Sequence, residues 1–242
     1  MSIMQTCTRL GVILSASMVV LWAWRFRWLP QPLRWLGWYA VLNLPIQLLA
    51  DWLWQQSLNN LPLLHLNILV EFVVFSLFFR DVYRGHEWFK RWLGWWLGAG
   101  IAGLLGYSLF IRSLDQFPAE SQLFVKAYII AGVVLYLFDA FGRVDFAQPR
   151  TQAIGVSCFA LLTYYSGSLF IFLFNQLAYD PALKFAYQWL WAINGVLVLG
   201  FDLVILWAMY RGSMRRDAAP TTHDQARQPV SSASRPTSRQ LI

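Results

Sequence analysis

The sequence predicts an all-α, polytopic membrane protein with seven transmembrane helices. Hydrophobic residues make up 58% of the 242 residues and charged residues only 13%, whereas an average soluble domain is about 25% charged. Seven apolar stretches reach the roughly 20 residues that a spanning helix needs. The chain also contains 14 Trp and 18 Phe, aromatic residues that suit membrane interfaces and lipid-facing surfaces.

The seven predicted helices follow one another with short connections. They are, in order, 8–28, 33–56, 62–80, 89–110, 121–141, 151–177 and 184–210. Prolines mark most of the turns, because the residue before a proline avoids helical angles. Arg25 and Arg27 follow the apolar core of the first stretch, at the place where a secretory signal would have a small-residue cleavage site. We therefore predict an uncleaved first helix.

The distribution of Lys and Arg predicts the orientation in the membrane. Basic residues concentrate in the loops after helices 1, 3 and 5 and after helix 7, and they are fewer on the opposite side. Positively charged loops are usually cytoplasmic. We therefore expect the N-terminus outside, the C-terminus in the cytoplasm, and a multi-pass protein of a cell membrane, the inner membrane in a bacterium.

The chain divides into two parts of different composition. Residues 1–212 form the predicted seven-helix transmembrane domain. Residues 213–242 are rich in Ser, Thr, Pro, Gln and Arg and poor in large apolar residues, so they cannot bury enough surface to order themselves. We expect a disordered basic cytoplasmic tail that lies near anionic lipid headgroups.

The third stretch, Leu61 to Arg80, carries an acidic residue in the middle of an apolar sequence. Glu71 lies about ten residues into this helix, near the membrane midplane. An unpaired charge at that depth costs about 3 kcal/mol or more, and intramembrane acids usually have functional roles. Glu71 is therefore the leading candidate for binding a ligand or a proton.

Helices 2 and 3 supply further polar candidates. The connection between them is short, so the two helices should be antiparallel neighbours, with Gln47 at the depth of Glu71 and Asp51 at the depth of His65. Residues spaced by four share a helix face. We therefore expect one inward-facing polar set, with His65 less firmly placed because it lies about 120° round the helix from Glu71. The set consists of Asn43, Gln47, Asp51, Asn67 and Glu71.

The later helices contribute a second group of candidates. On helix 7, Gln188 and Asp202 share one face with residues 191, 195 and 198, and Asp202 is expected to pair with a loop arginine. Tyr164 and its neighbour Tyr165 lie in the middle of helix 6, where a buried tyrosine needs a hydroxyl partner and could donate to Glu71. Lys126 is expected to extend to the outer interface.

These residues suggest a polar cavity that opens to the outer face, with Glu71 at its floor. The leading interpretation is a sensor, receptor-like or binding protein that takes a small molecule or a proton from outside. Residues 80–91, with Tyr83, Trp88 and Phe89 exposed, and the tail would then dock a cytoplasmic protein partner. The competing structural interpretation is that the polar groups only join helices through hydrogen bonds.

Two other functions remain open. A membrane-embedded hydrolase for lipids or small amphiphiles would use Asp51, His65 and Glu71 as metal ligands or acid–base groups. A proton-coupled carrier would use Glu71 and Asp202 as a relay. We expect that the protein is not an enzyme, since the HExxH and GxSxG motifs are absent. We also expect that it binds no cofactor, no metal and no nucleic acid. Retinal is excluded because helix 7 has only Lys184, at its outer edge.

Overall fold

The computed structural model describes residues 3–111, 114–143, 149–175 and 184–214. Within those ranges the chain is helical, without a strand, which confirms the predicted all-α class. The predicted tail starts at 213, and residues 215–242 lie outside the described residues.

Each predicted stretch contains one α-helix, with ends that differ from the prediction by a few residues. The helices are α1 Ile3–Arg25, α2 Gln31–Gln55, α3 Leu61–Val82, α4 Glu87–Gly106, α5 Ala119–Arg143, α6 Pro149–Asn175 and α7 Lys184–Ser213. A π-helical segment, Tyr107–Ile111, continues α4. Prolines stand in the first turns of α2 and α3, where the missing N–H is tolerated.

Within the described ranges, five helices are long and apolar enough to cross a membrane. They are α3, α4 with its π-helical extension, α5, α6 and most of α7. These five support an integral membrane protein by length and composition.

Contacts between neighbouring helices close a ring. The ring runs from α1 to α2, α3, α5, α6 and α7, and α7 packs back on α1. The remaining helix, α4, packs on α3 from outside the ring. Burial follows from this arrangement: 44% of the apolar window of α3 is buried against only 6% of that of α4. Helix α3 therefore provides the aromatic core, with Phe72, Phe75, Phe78 and Phe79 almost fully buried.

Glycines allow two of the close approaches between helices. Gly132 on α5 faces the ring of Phe79 on α3, and a Cβ atom at Gly132 would lie 2.6 Å from that ring. Gly37 on α2 meets the indole of Trp22 on α1 in the same way. Close packing of this kind joins helices in lipid, where burial of apolar surface gives little driving force. It positions α3 against the helices that carry its polar partners.

Candidate functional site

Glu71 is buried in the ring, with 6% of its surface exposed. The hydroxyl of Tyr39 on α2 and the hydroxyl of Tyr165 on α6 each donate a hydrogen bond of 3.1 Å to its Oε1. The predicted donor on the sixth helix is thus confirmed, in the form of Tyr165. Tyr39 was missed, although it lies four residues before Asn43 and so on the polar face of α2.

Lys126 on α5 completes the surroundings of Glu71. Its side chain is only 3% exposed, so the expectation that it extends to the interface is wrong. The ammonium lies 5.3 Å from the ring centroid of Tyr165 and 5.7 Å from that of Tyr164, and it interacts electrostatically with Glu71. Two aromatic faces and a carboxylate compensate for the lost hydration of the ammonium.

A small polar cavity lies beside this cluster, between α1, α2, α6 and α7. Its volume is about 40 Å³, enough for about three water molecules at 10–15 Å³ each, and far below the roughly 300 Å³ of a typical small-molecule site. The polar residues of its lining are Ser15, Tyr39, Asn43, Gln47, Tyr164 and Asp202. Tyr39 belongs to both sites, since it lines this cavity and also donates to Glu71.

Asp202 on α7 is the charged residue of the cavity. It is 5% exposed and shares a hydrogen bond with the Ser15 side chain of α1. The expected ion pair with a loop arginine is not found among the described residues, where no basic side chain forms an ion pair with Asp202. Arg211 is about 14 Å further along the helix, where its guanidinium lies over the ring of Trp207.

The predicted inward-facing set on α2 is only partly correct. Asn43 is buried in the cavity lining, and Gln47 lines the cavity while remaining exposed. Asp51 is exposed and accepts a hydrogen bond of 2.8 Å from Gln55, so its inward placement is wrong. Each four-residue step rotates a side chain by about 40°, and two steps turn Asp51 about 80° away from Asn43.

On α3, the predicted outer residue His65 has its partners away from Glu71. It contacts the Ser108 hydroxyl at 2.8 Å and the Gln116 carbonyl oxygen at 3.1 Å, which ties α3 to the start of the π-helical segment and to the loop that follows it. Asn67 is half-buried, and its Oδ1 has no hydrogen-bond partner among the described residues. His65 and Asp51 therefore do not meet, and the described ranges contain no group of three His, Cys, Asp or Glu that could hold a metal ion.

The predicted polar face of the last helix can be followed only in part. Val198 and Asp202 line the cavity, and Gly195 lies against Cys7 of α1. The side chain of Gln188 lies outside the described residues. Ser15, Asn43 and Val198 stand near the middle of their helices, so the cavity lies at the level of the helix centres. Glu71, which was expected at the floor of the cavity, is not among its lining residues.

At the predicted cytoplasmic end, α3 terminates in a second polar cluster. Trp35 donates a hydrogen bond of 2.7 Å to the buried Asp81, and Arg80 lies 3.3 Å from the same carboxylate. Tyr83 is 7% exposed and donates to the Gly132 carbonyl at 2.7 Å, so its expected exposure is wrong. Burial raises the pKa of the Tyr83 hydroxyl, which keeps it a donor. Trp88 remains exposed.

Comparisons with protein-family models, with curated proteins and with solved structures give no match for this chain.

Proposed function

We propose that the chain crosses a cell membrane seven times, with the N-terminus outside and the C-terminus in the cytoplasm. Helices α1 and α2, with 23 and 25 residues, rise about 35 Å each and so match the roughly 30 Å hydrocarbon thickness. The excess of Lys and Arg in alternate loops supports the orientation. Phosphatase fusions after each helix would test it, with activity expected only after helices 2, 4 and 6.

Within this topology we propose a proton-responsive sensor in which Glu71 is the proton-binding group. The observation that carries the proposal is the convergence of four helices on one buried carboxyl: α3 holds Glu71, α2 and α6 donate from Tyr39 and Tyr165, and α5 presents Lys126. The small volume of the neighbouring cavity favours a proton or another small ion over an organic ligand.

A change of charge on Glu71 alters its contacts with all three partners, Tyr39, Tyr165 and Lys126. The ionised carboxylate accepts both tyrosine hydrogen bonds and compensates the ammonium of Lys126. Protonation removes that compensation and raises the free energy of the buried ammonium. Lys126 then moves toward the outer end of α5, about 10 Å away. The contact between α3 and α5 then shifts. Because α3 ends at the Asp81 cluster and the segment 80–91, this shift would reach the surface where a cytoplasmic partner would bind.

Infrared difference spectroscopy of the full chain in nanodiscs tests this proposal. A pH step should produce a carboxylic acid C=O band that disappears in Glu71→Gln. The control is Asp51→Asn, which removes an exposed carboxylate of α2 and should leave the band intact. A band that persists in Glu71→Gln would contradict the assignment of the proton to this residue.

A proton-coupled carrier is the second candidate function. Tyr39 favours it, because this residue links Glu71 to the cavity that contains Asp202, and a relay across the membrane needs such links. Liposomes that contain the purified protein and a pH-sensitive dye would distinguish the two functions. Proton flux lost in both Glu71→Gln and Asp202→Asn would favour the carrier, while the absence of flux in the native protein would favour the sensor.

A further inference from the structure

The two buried acids of the interior are neutralised in different ways. Glu71 has the ammonium of Lys126 nearby and two hydroxyl donors. Asp202 is equally buried, yet within the described ranges it has a hydrogen bond with Ser15 and no ion pair with a basic side chain. A carboxylate at this depth needs a proton or a counter-ion.

The cavity beside Asp202 has the size and the chemistry for a counter-ion. Its volume of about 40 Å³ admits an ion with one or two water molecules. Ser15, Asn43 and Gln47, each with a side-chain oxygen, line the same cavity as Asp202, and Asn43 is buried, with 7% exposure. Carboxylate, hydroxyl and amide oxygens are the ligands that hard cations prefer.

We propose that this cavity binds one partly hydrated Na⁺ ion. The Asp202 carboxylate is the charged ligand, and the side-chain oxygens of Ser15 and Asn43 are neutral ligands. A single carboxylate balances one positive charge, whereas a divalent ion would leave a net charge buried in lipid. The other charges nearby, Glu71 and Lys126, are opposite in sign, and Tyr164, whose ring centroid is 5.7 Å from the Lys126 ammonium, lines the cavity.

The sodium site extends the proposed function and does not depend on it. Protonation of Glu71 involves α3 and α5, whereas the ligands of the ion come from α1, α2 and α7. The two sites share Tyr39. The two proposals can therefore fail separately: the proton site is tested by the infrared band of Glu71, and the sodium site by Na⁺ binding and its loss in Asp202→Asn.

Equilibrium binding of radioactive sodium to the full chain in nanodiscs tests the site, together with thermal unfolding in NaCl. N-methylglucamine chloride at the same ionic strength and pH is the reference, since that cation is too large for the cavity. We expect saturable binding of one ion per chain and an unfolding temperature that rises with Na⁺ concentration. Asp202→Asn should abolish both effects, whereas the exposed control Asp51→Asn should retain them.

Ser15→Ala provides a second measurement if Asp202→Asn fails to fold. It removes one neutral ligand and should raise the Na⁺ concentration for half-saturation about tenfold. The proposal is overturned if the native chain shows no saturable Na⁺ binding, or if Ser15→Ala leaves the half-saturation unchanged. A stabilisation that depends on pH and not on Na⁺ would also overturn it, and would assign a proton to Asp202.

Discussion

Removal of either charge of the Glu71–Lys126 pair should destabilise the protein far more than removal of both. Glu71→Gln retains the oxygen that accepts from Tyr39 and Tyr165, but it leaves the ammonium of Lys126 buried at 3% exposure. Breaking a buried pair in this way costs about 3–5 kcal/mol. The aromatic contacts of Lys126 at 5.3 and 5.7 Å stabilise the buried ammonium and offset up to about 2 kcal/mol of this cost. We therefore expect a loss of about 1–3 kcal/mol when the full aromatic contribution is subtracted.

The double variant Glu71→Gln/Lys126→Met isolates the interaction. It removes both charges and places an unbranched apolar chain of similar length beside the two rings, so its stability should lie within about 1 kcal/mol of the native protein. The free energy of unfolding in bicelles, measured by steric trapping, gives the double-mutant cycle. The exposed pair of Glu87 and Lys90, 2.7 Å apart, is the control and should couple by less than about 1 kcal/mol.

Additive losses in the cycle would refute this account of the interior. Single variants whose effects sum to that of the double variant within about 0.5 kcal/mol would mean that the two charges do not interact. The burial of Lys126 would then depend on contacts other than the one with Glu71. The proposed movement of Lys126 on protonation of Glu71 would lose its physical basis.

Two further substitutions test the packing around the site. Tyr39→Phe removes one of the two hydroxyl donors to the buried carboxylate and should cost about 1–2 kcal/mol of unfolding free energy. Its control, Tyr164→Phe, leaves both donors in place and should not shift the infrared band of the carboxyl group. Gly132→Ala places a Cβ atom 2.6 Å from a ring of α3 and should cost about 1–3 kcal/mol, whereas Gly94→Ala, which meets open space, should leave the unfolding temperature unchanged.

The helices were predictable because each is a property of its own segment. Long apolar stretches and the prolines between them define where a membrane helix can begin and end, and the structure differs by a few residues only. The acids at 71 and 202 were also predictable as buried groups, since an acidic residue stands out in an apolar helix. The order of the helices round the ring was not predictable, because nothing in the sequence places α4 outside α3.

The partners of the acids could not be predicted for the same reason. Whether Lys126 points to lipid or to Glu71 depends on which helices flank α5, and its distance from the helix end permits both. Asp51 shows a different limit. A four-residue repeat drifts about 40° per step, so a face that is polar at Asn43 no longer faces inward two steps later. Direction round the helix was therefore readable from the sequence only over one or two turns.

Tyr39 should determine whether the two sites influence each other. A tyrosine hydroxyl has one hydrogen to donate, and in this structure it donates to Glu71. A protonated carboxyl or an amide at position 71 is a weaker acceptor than the carboxylate, so that hydrogen can turn toward the cavity and the ligands of the ion. Glu71→Gln should then change the Na⁺ affinity measurably in the native background, and Na⁺ should change the protonation of Glu71 by the same factor. In Tyr39→Phe this mutual dependence should disappear while each site still binds its own ligand, and a dependence that survives the substitution would show that the coupling runs through other contacts.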